Sequence, residues 1–178
     1  DESKAPAYTY PGMLAVLAYG TFLFLWFLQW KGNCHAGMLR NDWIRALGNL
    51  SIMNMWLAIL PSAKNSVVLY LTGVPYERAI KYHKIIAMTG IYFVIAHYIV
   101  ATSLLKELDI PLYGETGKPY GPKGVETAYG FTAFLCYMSM FAMAFEPVRT
   151  MKYEIFWIFH QLWLVAVFFT ILHVASRP

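Results

Sequence analysis

KYHKIIAMTGIYFVIAHY, Lys81 to Tyr98, is apolar enough to lie in a membrane, yet it carries two histidines fourteen positions apart. An ionisable ring inside a membrane helix is expensive and is a functional candidate by default. The rest of the chain agrees with a membrane setting. Its 178 residues are 58% hydrophobic, 17% aromatic and 13% charged, whereas soluble domains run near half apolar and about a quarter charged. The expected fold is an all-α integral membrane bundle of one domain. No Gly/Ser- or Pro-rich linker divides it, and no repeat recurs at a fixed period.

A spanning helix needs about 20 mostly apolar residues. Five runs meet that length: Gly12–Trp30, Trp43–Leu60 ended by Pro61, Arg78–Leu105, Val125–Phe145 ended by Glu146-Pro147, and Tyr153–Ala175. Each must be helical to satisfy its own backbone in lipid. The connections are Lys31–Asp42, Ser62–Glu77, Lys106–Gly124 and Pro147–Lys152. The third holds PLYGETGKPYGPKG, a Gly/Pro-rich aqueous loop. The opening DESKAPAYTY has no methionine and is not a signal peptide, because the apolar run after it starts late and is long. A processed product or an excerpt is therefore expected, with residues 1–11 as a tail.

The net charge of +4 comes from basic residues scattered over short connections, with no basic face for nucleic acid. Such residues suit lipid headgroups or loops that meet a partner. Lys and Arg divide almost evenly between the two sides, and the dense group Lys64, Arg78, Lys81 and Lys84 places the second connection in the cytoplasm. Cys34 and Cys136 sit in different segments and form no CxxC motif. Inert buried thiols are favoured over a disulfide between them.

Of the five histidines, His35 falls in a connection. His83 and His97 share the third run, His160 and His173 the fifth. These two runs are separated by one helix and so cross the bilayer in the same direction. His83 and His160 lie near one end, His97 and His173 near the other. At about 1.5 Å per residue the separations are roughly 21 Å and 20 Å, which sets two facing pairs at two depths. Imidazole suits iron, and a histidine above and below a haem plane fills both axial sites. Two haems b at those depths would divide the bilayer into two short electron hops.

The helical faces are uneven. At about 100° per residue, His97 falls roughly 40° short of His83, on one face, whereas His173 falls about 220° from His160. The fifth run therefore requires tightening towards 3₁₀, a bend, or a differently placed haem. Ligating histidines usually donate their second nitrogen to a fixed acceptor. The carbonyls one turn back are the expected acceptors: Ala79, Phe93, Phe156 and Phe169, with Thr170 a further partner for His173. Gly90 either admits a porphyrin edge or allows tight helix packing. For each histidine taken alone, a neutral ring bonded to a neighbouring helix is the plain alternative. Zinc is disfavoured, because it wants three or four converging ligands and no carboxylate stands near the pairs. A proton relay would not require such regular depths.

The stretch RALGNLSIMNMWLAILPSAKNSVVLYLTGVPYERAIKYHK, then His97, then FWIFHQLW and His173, resembles the transmembrane domain of the ferric reductase and NADPH oxidase superfamily. The resemblance spans roughly Arg45 to His173, and the two-by-two histidine spacing is its specific part. It implies a six-helix bundle with two bis-histidine haems b stacked across the membrane, His83 with His160 on the inner haem and His97 with His173 on the outer. It implies electrons from NADPH through a cytosolic FAD domain to ferric iron or oxygen on the far side. Arg45 falls near a basic residue that relatives place beside the outer haem; an arginine snorkelling to water is the other reading.

Three departures qualify this. Animal oxidases carry a further histidine one turn after the outer ligand; here it is Ala101, which favours ferric iron over oxygen as acceptor. Many oxidases place an aromatic between the haems; here it is Ala166, with Trp163 or Phe168 as substitutes. Five of the six helices are visible, and no GxGxxG or βαβ pattern supplies a flavin or nicotinamide module. Residues 12–178 thus read as the haem domain of a longer enzyme, or as a chain beside a separate flavin/NAD(P)H reductase docking on Ala63–Lys81. The alternatives are a haem b subunit of a larger complex and a non-redox structural membrane subunit.

Overall fold

The computed structural model describes residues 10–32, 39–107 and 124–175. Cys34, His35, residues 111–123 of the PLYGETGKPYGPKG stretch and the first nine residues lie outside them. The described residues form helices α1 (Tyr10–Gly32), α2 (Leu39–Ile59), α3 (Val67–Thr72), α4 (Tyr76–Glu107), α5 (Gly124–Ala144), α6 (Glu146–Met151), α7 (Tyr153–His160) and α8 (Leu162–Ala175). No strand occurs among them.

All five apolar runs are helical. Three stretches are long and apolar enough to cross a membrane: Tyr76–Leu104, Thr127–Ala144 and Tyr153–Ala175. In α1 the apolar stretch Met13–Gln29 is shorter, and α2 is diluted by Arg45, Asn49, Ser51 and Asn54.

Two connections read as loops contain helices. Beyond Pro61 the chain turns, with the Ser62 N–H bonded to Ile59 O at 3.1 Å, and then makes α3. Gly73 stops α3: at φ 65° it adopts the left-handed conformation that only glycine takes cheaply, and its N–H reaches Leu69 O at 2.9 Å. After α5 the Glu146-Pro147 pair starts α6 as well as ending α5. Proline is tolerated in a first helical turn because its missing N–H would have no intrahelical partner there.

The helices assemble as two layers. α2 lies along α4 and α5 along α8, while α1 rests on α2. Small residues sit at the crossings, where Ala46, Ala58, Ala79, Ala133 and Ala166 are buried. Lipid tails give helices no hydrophobic reason to associate, so close backbone approach over small residues takes over. Gly90 belongs here: an added Cβ would stand 2.9 Å from Met55 Cε and 3.0 Å from Asn54 Cβ, so it serves the α4–α2 contact. Asn54 is fully buried, accepts a hydrogen bond from Tyr19 Oη and donates to Leu50 O at 2.7 Å, which ties α1 to α2. Large apolar side chains such as Leu14, Phe24, Tyr92, Ile99 and Phe168 face outwards, as lipid-facing positions do.

Candidate functional site

The two layers bring the four intramembrane histidines together in pairs. His83 on α4 meets His160 at the end of α7, with ring centres 6.1 Å apart and planes inclined by 72°. His97 on α4 meets His173 on α8, with ring centres 6.4 Å apart and planes inclined by 76°. The rings face each other without stacking. Among the described residues no third His, Cys, Asp or Glu joins either pair.

The uneven faces of the fifth run are accommodated by a break directly after His160. Gln161 interrupts the helix, its N–H bonded to Ile158 O at 3.1 Å and its carbonyl accepting from Leu164 N–H at 3.2 Å. Both bonds span three residues, the 3₁₀ pattern. α7 and α8 are thereby phased separately, and each presents its histidine to α4.

For His83 and His97 the acceptors differ from those one turn back. His83 Nδ1 lies 2.8 Å from Ala58 O, and His97 Nδ1 lies 2.9 Å from Ile44 O, both on α2 rather than on Ala79 or Phe93. A carbonyl can only accept, so each Nδ1 carries a proton, and in the neutral ring Nε2 is then the nitrogen with the lone pair. The Ala58 carbonyl is available because α2 ends beside Pro61. Ser62 N–H bonds Ile59 O instead, leaving Ala58 O among the orphan carbonyls of a helix terminus. Ile44 O is reached over Gly48, one turn on, where an added Cβ would stand 3.2 Å from His97 Cε1 and Nδ1. Gly130 on α5 likewise leaves room for the His173 ring, its virtual Cβ falling 2.8 Å from Cε1 and Nδ1. The Thr170 hydroxyl donates to Ala166 O at 2.7 Å and lies 3.3 Å from Tyr137 Oη. His160 Nδ1 is buried and has no hydrogen-bond partner among the described residues, so Phe156 O does not serve it. The Phe156 ring instead packs on His160 at 5.0 Å.

Between the two levels, Ile91, Val94, Ala133, Tyr137 and Ala166 form a buried cluster. Ala166 is 0% exposed, and Tyr137 of α5 supplies the aromatic there. Phe168 is 58% exposed and points away, so it is no substitute; Trp163 is half-buried. A cavity of about 290 Å³ opens between the layers, lined by Met55, Trp56 and Ile59 of α2, Tyr137 of α5, and Thr170 and Val174 of α8. Arg45 is exposed and adjoins Ile44, at the level of His97; its carbonyl accepts from Asn49 Nδ2 at 2.9 Å. Lys64, Arg78, Lys81 and Lys84 are exposed at the His83 end.

Gly48, Gly130, the Ala58 and Ile44 carbonyls, and Tyr137 were not singled out from the sequence. Two signals existed: Pro61 frees a carbonyl near the inner level, and glycines interrupt two apolar helices.

Paired histidines between two layers of apolar helices define an integral membrane protein with a candidate metal-cofactor site. The family of ferric reductase like transmembrane components matches residues 47–171, and the chain belongs to that family. It is 26% identical over 132 residues to the chloroplastic ferric reduction oxidase 7 of Arabidopsis thaliana, covering 72% of this chain and 17% of that protein. It is likewise 26% identical over 148 residues to ferric reduction oxidase 2 of Arabidopsis thaliana, covering 82% of this chain and 19% of the relative. The chain thus spans less than a fifth of either relative's length.

Proposed function

We propose that the chain carries electrons across the membrane through two haems b. One is held by His83 and His160, the other by His97 and His173. The observation that carries this reading is the pairing itself. Two imidazoles bound through nitrogen to one metal at about 2.0 Å each have ring centres roughly 6.3 Å apart, and both pairs stand within a few tenths of an ångström of that value. The donor set fits as well: His83 and His97 are held in the tautomer that offers Nε2 inwards.

Haem supplies one-electron redox chemistry when bound. The chain's residues fix its position. Ala58 and Ile44 hold the α4 histidines, while Gly48 and Gly130 let the outer rings lie against helix backbone. The inter-level cluster of Ile91, Val94, Ala133, Tyr137 and Ala166 keeps water out of the path. Arg45, at the outer level, is assigned to the edge of the outer haem. Residues 12–178 act as the haem domain, and residues 1–11 as a tail.

The donor in this reading is a flavin module carrying FAD and NADPH, on the same polypeptide or a partner. It docks on the exposed Lys64, Arg78 and Lys81 surface, which faces the cytoplasm. The acceptor is ferric iron rather than oxygen, supported by Ala101 at the position where oxidases hold a histidine and by the printed names of the two relatives.

A pyridine haemochrome measurement on the purified chain tests the assignment: two haems b per chain are expected. A chain free of haem would end the reading. Reduction by a flavin reductase, followed by reoxidation with a ferric chelate or oxygen, then ranks the acceptors.

A further inference from the structure

The short helix α6 (Glu146–Met151) joins two membrane spans with almost no slack. Phe145 alone parts it from the span Thr127–Ala144, and Lys152 alone from the span Tyr153–Ala175. One residue reaches about 3.5 Å at most, and the headgroup layer on each side of a bilayer is roughly 5–8 Å deep. Tied at both ends, a helix about 9 Å long can neither cross the bilayer nor stand clear of it. Its surface suits that depth. Met151 is 76% exposed, and Phe145 and Tyr153 on either side are exposed as well. Aromatic rings gather at this level of a membrane. Lys152 is exposed and Arg149 half-buried, with Glu146 the acid of the segment. The pairing of His83 with His160 puts the α2–α4 connection on the same side, and the pattern recurs there. α3 is followed by Gly73–Pro75 and then by the span that starts at Tyr76. Val67, Tyr70 and Leu71 share one face of α3 and are 70%, 87% and 75% exposed.

We propose that α6 and α3 lie in the headgroup layer at the His83–His160 end, and that Arg149 and Lys152 of the α6 segment bind the phosphate of anionic phospholipids. The large apolar side chains leave water by entering the boundary between headgroups and acyl chains, as those of interfacial helices do. The cations stand beside them at the level of the lipid phosphates and are drawn to a negatively charged leaflet. A zwitterionic headgroup offers the same phosphate, but its ammonium group offsets the attraction, so anionic lipid is preferred. Lys64, Arg78 and Lys81, assigned above to the reductase module, are separate from Arg149 and Lys152, so the two surfaces can be altered one at a time. The site needs no haem, and its outcome is independent of the electron-transfer reading.

The test uses the full chain in an equimolar mixture of phosphatidylglycerol and phosphatidylcholine, with retained lipids counted by native mass spectrometry. Phosphatidylglycerol is expected to be retained over phosphatidylcholine. Arg149→Gln and Lys152→Gln should each lower that preference roughly fivefold, Arg149→Lys should keep it, and inorganic phosphate should not compete. Depth is read in nanodiscs from a bimane label on Met151→Cys or Tyr70→Cys, in a chain that also carries Cys34→Ser and Cys136→Ala. Lipids brominated high on the acyl chain should quench both labels relative to unbrominated lipids. An unquenched label at either position would overturn the inference. So would an unchanged lipid preference when Arg149→Gln and Lys152→Gln are combined, or displacement of the lipid by inorganic phosphate. Slower reduction by a flavin reductase in that double variant, with lipid preference intact, would assign α6 to a protein partner and overturn it as well.

Discussion

α4 and the α7–α8 pair carry histidines at almost the same spacing, yet they present them by different means. α4 is a continuous helix of 32 residues, and its two histidines share a face and lean on carbonyls of α2. The partner run is broken at Gln161, and its two halves present His160 and His173 separately. One side is a rigid rail held by hydrogen bonds. On the other, the His173 ring is backed by Gly130 and the His160 ring lies against Phe156. A pair of rings can thus be set by one anchored partner, provided the opposing helix can be re-phased to meet it.

The largest effects should come from breaking the rail. His83→Ala and His97→Ala are each expected to cost about one haem of two, counted by pyridine haemochrome. Retention of both haems in both variants would contradict the axial assignment.

Filling the glycine supports comes next. Gly130→Ala places a methyl 2.8 Å from the His173 ring and Gly48→Ala places one 3.2 Å from His97, so the first should lower outer haem retention more. Losses of supporting contacts at metal sites run about 10–100-fold in affinity. Haem titration of the two variants gives the order, and equal retention would remove the supporting role of Gly130.

A smaller effect is expected at Pro61→Ala. The new backbone N–H lets α2 continue, and Ala58 O then gains a competing donor in Ser62 N–H. The hold on His83 weakens by about 1 kcal/mol, roughly a fivefold loss in inner haem affinity with the outer haem unchanged. Reversing charge at Lys64 and Lys81 should leave haem content intact and slow reduction by a flavin reductase, most at low salt. An unchanged rate would move the docking surface elsewhere. Smallest of all, Tyr19→Phe should cost about 1 kcal/mol of stability by leaving Asn54 Oδ1 without its donor, visible as a lower thermal midpoint with both haems retained.

How much of this could be read without the structure follows from what each feature depends on. The apolar runs and the pairing of His83 with His160 and His97 with His173 depend on periodicity and helix direction, and both are legible. The mismatch of faces in the fifth run pointed to a 3₁₀ tightening, a bend or a differently placed haem, and the bonding at Gln161 is of the 3₁₀ kind. The acceptors of His83 and His97 were misread because a one-turn rule looks only within a helix, while Ala58 and Ile44 belong to a neighbour. Gly48 and Gly130 look like ordinary small residues until the ring above each is placed. α3 and α6 escaped because six-residue helices leave too few turns for a periodic signal. Gly90 had two readings, and only the position of Asn54 and Met55 decided between them.

The most direct test is an experimental density map of the chain in a lipid nanodisc. Two flat densities are expected between α4 and the α7–α8 pair, one bridged by His83 and His160 and one by His97 and His173. Empty space between those rings, or rings at positions 83 and 160 turned towards the acyl chains, would contradict the proposed path.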